Sequence, residues 1–225
     1  MKVIWLGQAG LLFEVNAKTI LVDPYLSNSV EKIEPQNYRR VAVDERFLQI
    51  KPDIIVLTHN HLDHTDPETL YHYLSHDREV TVLASENAWQ NVRKTIGGVK
   101  NNYVQFNRGT EWTEKDIYFK AVYAEHSDNK AIGVIMKAEN KTYYVTGDTL
   151  YNAEIFKDLP ASIDYVFIPV NGRGNNMNMT DAKRFCDRLG SIAIPLHCGL
   201  FDEINMKEWQ YKNKIVPEFY KEIPL

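Results

Sequence analysis

The chain has 225 residues, 44% of them hydrophobic, enough for a substantial core and too long for a peptide-scale module. Its 26 Lys and Arg against 30 Asp and Glu leave a net charge of −4, which argues against a protein built to coat nucleic acid or anionic lipid; an anionic ligand must be met by local cations. Two cysteines, Cys186 and Cys198, beside seven histidines exclude a disulfide framework and a cysteine-based zinc finger.

Residues 1–7 carry one charge and a short apolar run, without the long apolar region and small-residue cleavage site of a signal peptide. No apolar stretch approaches the ~20 residues of a membrane helix, so a soluble, cytoplasmic protein with reduced thiols is expected. Strands are predicted at 2–6, 11–15 and 19–22, the last two joined by the tight turn Asn16-Ala17-Lys18. Residues 27–47 read as polar and irregular. The apolar run 54–57 has the character of a strand buried on both faces, and Asp66 followed by Pro67 predicts a capped helix over 67–76.

A strand is expected at 79–84. Ser85 then caps a helix with Ala88, Trp89, Val92 and Ile96 on one face, stopped by Gly97-Gly98. Further strands are predicted at 103–106, 117–123, 131–137 and 142–146, with a hairpin through Glu139-Asn140-Lys141, then a short helix near 153–159 and a strand at 165–169. Thr180 caps a helix whose Ala182, Phe185, Cys186 and Leu189 share one face before Gly190, and 191–196 is the last strand. Two groups of strands partnered by helices imply an α/β, four-layer αββα sandwich in one domain, 1–225, with no repeat or linker to divide it.

The chemistry concentrates at Thr58-His59-Asn60-His61-Leu62-Asp63-His64, four potential ligands in one loop between a buried strand and a helix. His59 and His61 can point the same way on extended backbone, while Asp63 and His64 lie beyond toward a second position. One ion needs at least three protein ligands, and candidates stand at later strand ends: His126, Asp148 and His197. These residues predict a first site of His59, His61 and His126, a second of Asp63, His64 and His197, and Asp148 as a bridging carboxylate.

His59-x-His61-x-Asp63-His64, followed by His126, Gly147-Asp148-Thr149 and His197, resembles the metallo-β-lactamase superfamily of metal-dependent hydrolases. The resemblance implies the αββα fold and one or two divalent ions per chain, with zinc or manganese favoured and iron admissible. It also implies that Asp23 supports the site from behind the ligands. Asn171-Gly172-Arg173-Gly174, Met179-Thr180-Asp181-Ala182 and Ile194-Pro195-Leu196-His197 running into Phe201 are most similar to the L-ascorbate-6-phosphate lactonase-like branch. That branch implies a homo-oligomer, a hexamer in those lactonases, although they carry an N-terminal extension and insertions that this chain lacks.

The expected reaction is attack of a metal-held hydroxide on the ester or lactone carbonyl of a small anionic substrate. Asp63 and Asp148 serve in catalysis, and a second metal ion, or a proton delivered through Asp63, stabilises the departing alkoxide. Arg173, a planar fork of donors, is the candidate for gripping the anion; a solvated loop arginine is the bland alternative. The same ligands also suit phosphodiester cleavage, and a non-catalytic metal-binding or sensing protein is a third reading. His72 and His76 are read as solvent-facing, Cys186 as core, Cys198 as packed behind the site, and the tryptophans and most tyrosines as packing, so no nucleic-acid partner is favoured.

Overall fold

A computed structural model describes residues 1–97 and 100–225. Lys2–Gly7 (β1), Gly10–Val15 (β2) and Lys18–Val22 (β3) form an antiparallel meander, which Ile54–Leu57 (β4), Thr81–Ala84 (β5) and Asn102–Gln105 (β6) extend in parallel. The second sheet repeats this plan. Glu111–Glu114 (β7), Ile117–Tyr123 (β8), Ile132–Ala138 (β9) and Lys141–Val145 (β10) pair antiparallel, and Tyr165–Pro169 (β11) and Ile192–Leu196 (β12) continue in parallel. The helices are Ser29–Ile33 (α1), Pro67–Leu74 (α2), Glu86–Thr95 (α3) and Met179–Leu189 (α4).

Alternation along the strands builds the layers. Val3, Trp5, Leu11, Phe13, Ile20, Val22, Ile54 and Val56 enter a core shared with the second sheet. Their neighbours Ile4, Leu6, Leu12, Leu21, Ile55 and Leu57 face the other way, onto Leu70, Tyr73 and Leu74 of α2 and Ala88 and Val92 of α3. The first sheet is thus buried on both faces, and the expected four-layer sandwich is formed. On the other side α4 contributes Ala182, Phe185 and Cys186, all fully buried.

The tight hairpins close through two residues each. Asn16 and Ala17 join β2 to β3, and Glu139 and Asn140 join β9 to β10, all four at positive φ, the twist that matches paired strands. Lys18 and Lys141 are already strand residues. Residues 213–223 run past the outer strand of each sheet. Ala193 of β12 exchanges backbone hydrogen bonds with Asn213 and Ile215 at 2.9 Å, and the N–H groups of Tyr220 and Ile223 donate to Trp5 and Val3 of β1 at 2.8 Å. The strap therefore covers an edge of both sheets.

Several local expectations are corrected. The cap of α4 is Asn178, whose side-chain oxygen accepts the N–H groups of Thr180 and Asp181 at 2.9 Å; Thr180 is inside the helix. Ser85 occupies the cap position of α3 without a side-chain bond, because Asn107 accepts the Glu86 N–H at 3.0 Å instead. Gly97, at positive φ, follows the end of α3; Gly98 lies outside the described residues. Helix α2 ends at Leu74, since no apolar residue follows that could extend its buried face, so His72 and His76 do not share a helix and both are exposed. The predicted helix near 153–159 is a single 3-10 turn at Ala153–Lys157. Strand β7, not anticipated, is a charged, half-exposed edge, and α1 lies within the segment read as irregular.

The cap assignment predicts that Asn178→Ala costs about 1 kcal/mol of stability, whereas Thr180→Ala stays within about 0.5 kcal/mol of wild type. Urea midpoints of the two variants measure this, and an equal loss at both positions contradicts it.

Candidate metal centre

Strand direction gathers the functional side chains. Strands β1, β3 and β4 run the same way in the first sheet, as do β8, β10, β11 and β12 in the second. Their carboxyl ends supply Gln8, Asp23, the loop 58–66, His126, Asp148, Asn171 and His197 in turn. Gly147, at φ +60°, lets β10 end against β4: a Cβ there would sit 2.8 Å from the Ile132 carbonyl oxygen and 3.1 Å from Thr58 Cβ. Gln8, Asp23 and His197 also hold left-handed backbone at φ +50°, +43° and +65°, local strain at the site itself.

The loop after β4 is held from several sides. Asp66 accepts from the N–H groups of Glu68 and Thr69 and so caps α2, while the Thr65 hydroxyl donates to the His59 carbonyl at 2.7 Å. Asp23 accepts from the Thr58 N–H at 2.8 Å and from the Thr58 hydroxyl, and its Oδ2 lies 2.7 Å from His64 Nδ1. Asp128 pins the outer side, accepting the Asn60 N–H at 2.9 Å and Asn87 Nδ2 at 2.6 Å.

Two groups of donor atoms result, each lying within 4.8 Å of one another: His59, His61 and His126, and Asp63, His64 and His197. His126 Nε2 is 3.1 Å from His61 Nδ1, and His64 Nε2 is 3.3 Å from His197 Nε2. Asp148 sits against the second group, with Oδ2 3.0 Å from His197 Nε2 and accepting from Asn176 Nδ2 at 2.8 Å. Its Oδ1 is 3.3 Å from His64 Nε2, yet without the alignment of a hydrogen bond. Asp23 also neighbours His59 and His64, but both its oxygens are engaged by Thr58 and His64, which leaves it behind the cluster.

Within the cluster two buried atoms, His59 Nε2 and Asp148 Oδ1, have no hydrogen-bond partner. An imidazole lone pair and a carboxylate oxygen left bare inside a protein cost free energy unless a partner answers them. Beside four further imidazoles, the partner that suits both is a cation, so the donor set fits a divalent metal.

The two groups differ electrostatically. Burial, reinforced by His64, pushes His59 well below the ordinary imidazole range, and burial also lowers His126, so both offer free lone pairs. In the second group burial is overcome. Asp148, Asp63 and Asp23 raise His64 well above its usual value, and Asp148 and Asp63 push His197 up to about 9. Conversely, against burial, His64 and His197 hold the carboxyls of Asp63 and Asp148 below the usual carboxylate range. Without an ion the second group is a salt-bridged cluster of imidazolium and carboxylate.

A cleft of about 370 Å³ opens over the cluster, reached by His61, Asp63, Asp148 and His197 and by Arg173. Arg173 is exposed on a loop where Gly172, Gly174 and Asn175 all take positive φ. Cys198 is fully buried, burial raises its thiol pKa, and it belongs to neither group. Sequence reasoning missed Gln8, whose Nε2 donates to Asp63 Oδ2 at 2.8 Å and lies 3.1 Å from His197 Nδ1, while its carbonyl accepts the His197 N–H at 3.0 Å. It also missed Asn171, with Nδ2 3.0 Å from His197 Nδ1, and Asn176. No motif marks a lone amide; only its place at a strand end could have suggested it.

A family model for the beta-lactamase superfamily domain matches residues 2–197. The chain belongs to the metallo-β-lactamase superfamily. A superfamily relative from Staphylococcus epidermidis, named a UPF0173 metal-dependent hydrolase, is 29% identical over 96% of this chain and 93% of its own length. Among solved structures, a possible metal-dependent hydrolase from Veillonella parvula superposes with a TM-score of 0.82 at 18% identity, covering 100% of this chain and 99% of that one. The isothiocyanate hydrolase from Delia radicum gut bacteria gives 0.74 at 17%, covering 99% and 98%. The superfamily expected from the histidine motif, and its metallo-β-lactamase fold, are thereby established. No helix among the described residues is long and apolar enough to cross a membrane.

The charge pattern predicts a pH-dependent stability for chelator-treated protein. His197 has a folded pKa of about 9, above the roughly 6.5 of a free imidazole. Its contribution is therefore complete below about pH 6.5 and lost as pH rises through 9. Asp63 and Asp148, depressed when folded, contribute above about pH 4 and lose that contribution as pH falls. The melting temperature should thus decline from about pH 6.5 to pH 9, and Asp148→Asn should flatten the decline; calorimetric scans across that range test it, a flat wild-type profile being the contrary result.

Proposed function

We propose that this chain is a metal-dependent hydrolase that opens a lactone or ester of a small anionic substrate. His59, His61 and His126 would hold one divalent ion and Asp63, His64 and His197 a second, with Asp148 as a further carboxylate donor beside the second group. The observation that carries this reading is the pair of bare buried atoms, His59 Nε2 and Asp148 Oδ1, set among two convergent donor groups beneath an open cleft. Relatives named metal-dependent hydrolases support it. Zinc or manganese suits the mixed imidazole and carboxylate donors best, and iron is admissible. The bound ions supply Lewis acidity and bring water's ionisation toward neutral pH.

The chain's own residues provide the rest. Asp23 fixes the His64 ring through Nδ1, leaving Nε2 directed at the cluster. Gln8 and Asn171 steady the His197 ring, and Asn176 steadies Asp148. Asp63, the half-buried carboxylate that reaches the cleft, takes the proton released as water adds to the carbonyl carbon and passes it to the alkoxide as the C–O bond breaks. Arg173 binds the anionic group at the cleft wall. The L-ascorbate-6-phosphate lactonase-like branch is the nearest model for such a substrate, and we take residues 1–225 to act as one unit in the cytoplasm, with homo-oligomers a further part of the proposal.

Metal analysis of protein purified under metal-replete conditions should find at least one ion per chain, and His61→Ala should lower occupancy and abolish turnover. In a panel of lactones, esters and bis-p-nitrophenyl phosphate, carbonyl substrates should be cleaved; activity confined to the phosphodiester would replace this reading with phosphodiester cleavage. Asp23→Asn should weaken ion binding about 10- to 100-fold in metal titrations while the fold persists. Arg173→Ala should raise KM for an anionic substrate roughly tenfold, with a much smaller change in kcat.

A further inference from the structure

Beside the metal centre lies an apolar cluster separate from the two sheet cores. Tyr25, Val30 and Leu200 are its buried centre, and Val41, Leu62, Phe201 and Phe219 pack against them. Val30, Leu62 and Phe201 also line the cleft, joined there by Ile33, the last residue of α1. Ile33 is 72% exposed, the highest value for any large hydrophobic side chain among the described residues. A single exposed isoleucine is ordinary, but this one continues a packed apolar surface into a cleft.

From these observations we infer that the cleft receives an apolar arm of the substrate, an acyl or alkyl chain, along the wall of Ile33, Val30, Leu62 and Phe201; the inference deepens the hydrolase reading above and rests on it. Leu62 stands between His61 and Asp63, so the wall begins within the loop that carries the clustered ligands. Charge excludes an anion from it. Glu34 adjoins Ile33 and Asp202 adjoins Phe201, both in the cleft lining, whereas the arginine of that lining is Arg173. The anionic end of a substrate is therefore drawn to Arg173, and the wall is left for neutral, apolar matter.

The wall is also held in place before binding. The Arg39 guanidinium donates to the Tyr25 carbonyl at 3.0 Å, the Val41 carbonyl at 3.2 Å and the Tyr220 hydroxyl at 2.9 Å, and it lies 5.1 Å from the Tyr25 ring centroid. The Arg40 N–H donates to the Leu200 carbonyl at 2.9 Å. A preformed surface loses little freedom when a ligand settles on it. At about 370 Å³ the cleft is small for a ligand site, which suits a chain of medium length.

The test uses straight-chain carboxylates from acetate to octanoate, which resemble the acid product, titrated by calorimetry into metal-loaded protein. Affinity should rise about fourfold per added methylene until the wall is covered. Ile33→Ser, an exposed position that folding tolerates, should flatten the rise, and Phe201→Ser should do the same. Affinity independent of chain length in the wild type, or a slope left intact in both variants, overturns the inference. Parallel assays with the matching p-nitrophenyl esters keep the two readings apart. Chain-length-dependent binding without hydrolysis refutes the hydrolase reading alone, and hydrolysis without chain-length dependence refutes the wall alone.

Discussion

Asp23 is fully buried, and through its carboxylate and backbone N–H it joins the end of β3 to the end of β4 and to the loop that bears four of the seven candidate ligands. A carboxylate in that position is costly unless every oxygen is answered, and here Thr58 and His64 answer both. The arrangement works in two directions. It holds the loop to the sheet, and it fixes which nitrogen of His64 faces the cluster. Once His64 is set, its contacts with Asp148 and His197 follow, so the order of the second donor group traces back to one side chain that never reaches the cleft.

The two sheets divide the candidate ligands between them. His59, His61, Asp63 and His64 come from the first, and His126, Asp148 and His197 from the second, so each donor group is completed only across the sandwich. The shared core of Trp5, Phe13, Phe119, Phe167 and their neighbours sets the spacing of the sheets and with it the spacing of the donors. A packing defect far from the cleft therefore alters the spacing of the donor groups as well as stability.

What the sequence revealed follows from how much of each signal is local. The strands of the first sheet were legible because burial on both faces writes an uninterrupted apolar run, and the clustered donors were legible because histidine and aspartate at strand ends are chemically conspicuous. Strand β7 was hidden: Glu111 and Glu114 sit on a half-exposed edge where the only requirement is backbone pairing. Asn178 was overlooked as the cap of α4 because Thr180 is an equally good residue type two positions on, and only backbone geometry separates them. Gln8 was invisible, since its role depends on the distant Asp63 and His197 arriving beside it. Arg173, singled out from the sequence, lines the cleft, but the apolar wall next to it combines residues 30, 33, 62 and 201, which no local pattern connects.

The strap of residues 213–223 has a consequence for the order of synthesis. Strand β1 is made well before the strap, yet the carbonyls of Val3 and Trp5 accept the N–H groups of Ile223 and Tyr220. Until residues 213–223 are in place, that strand presents an uncovered edge on which another chain can pair. A chain cut short before residue 213 keeps both candidate donor groups yet leaves an edge of each sheet open to aggregation.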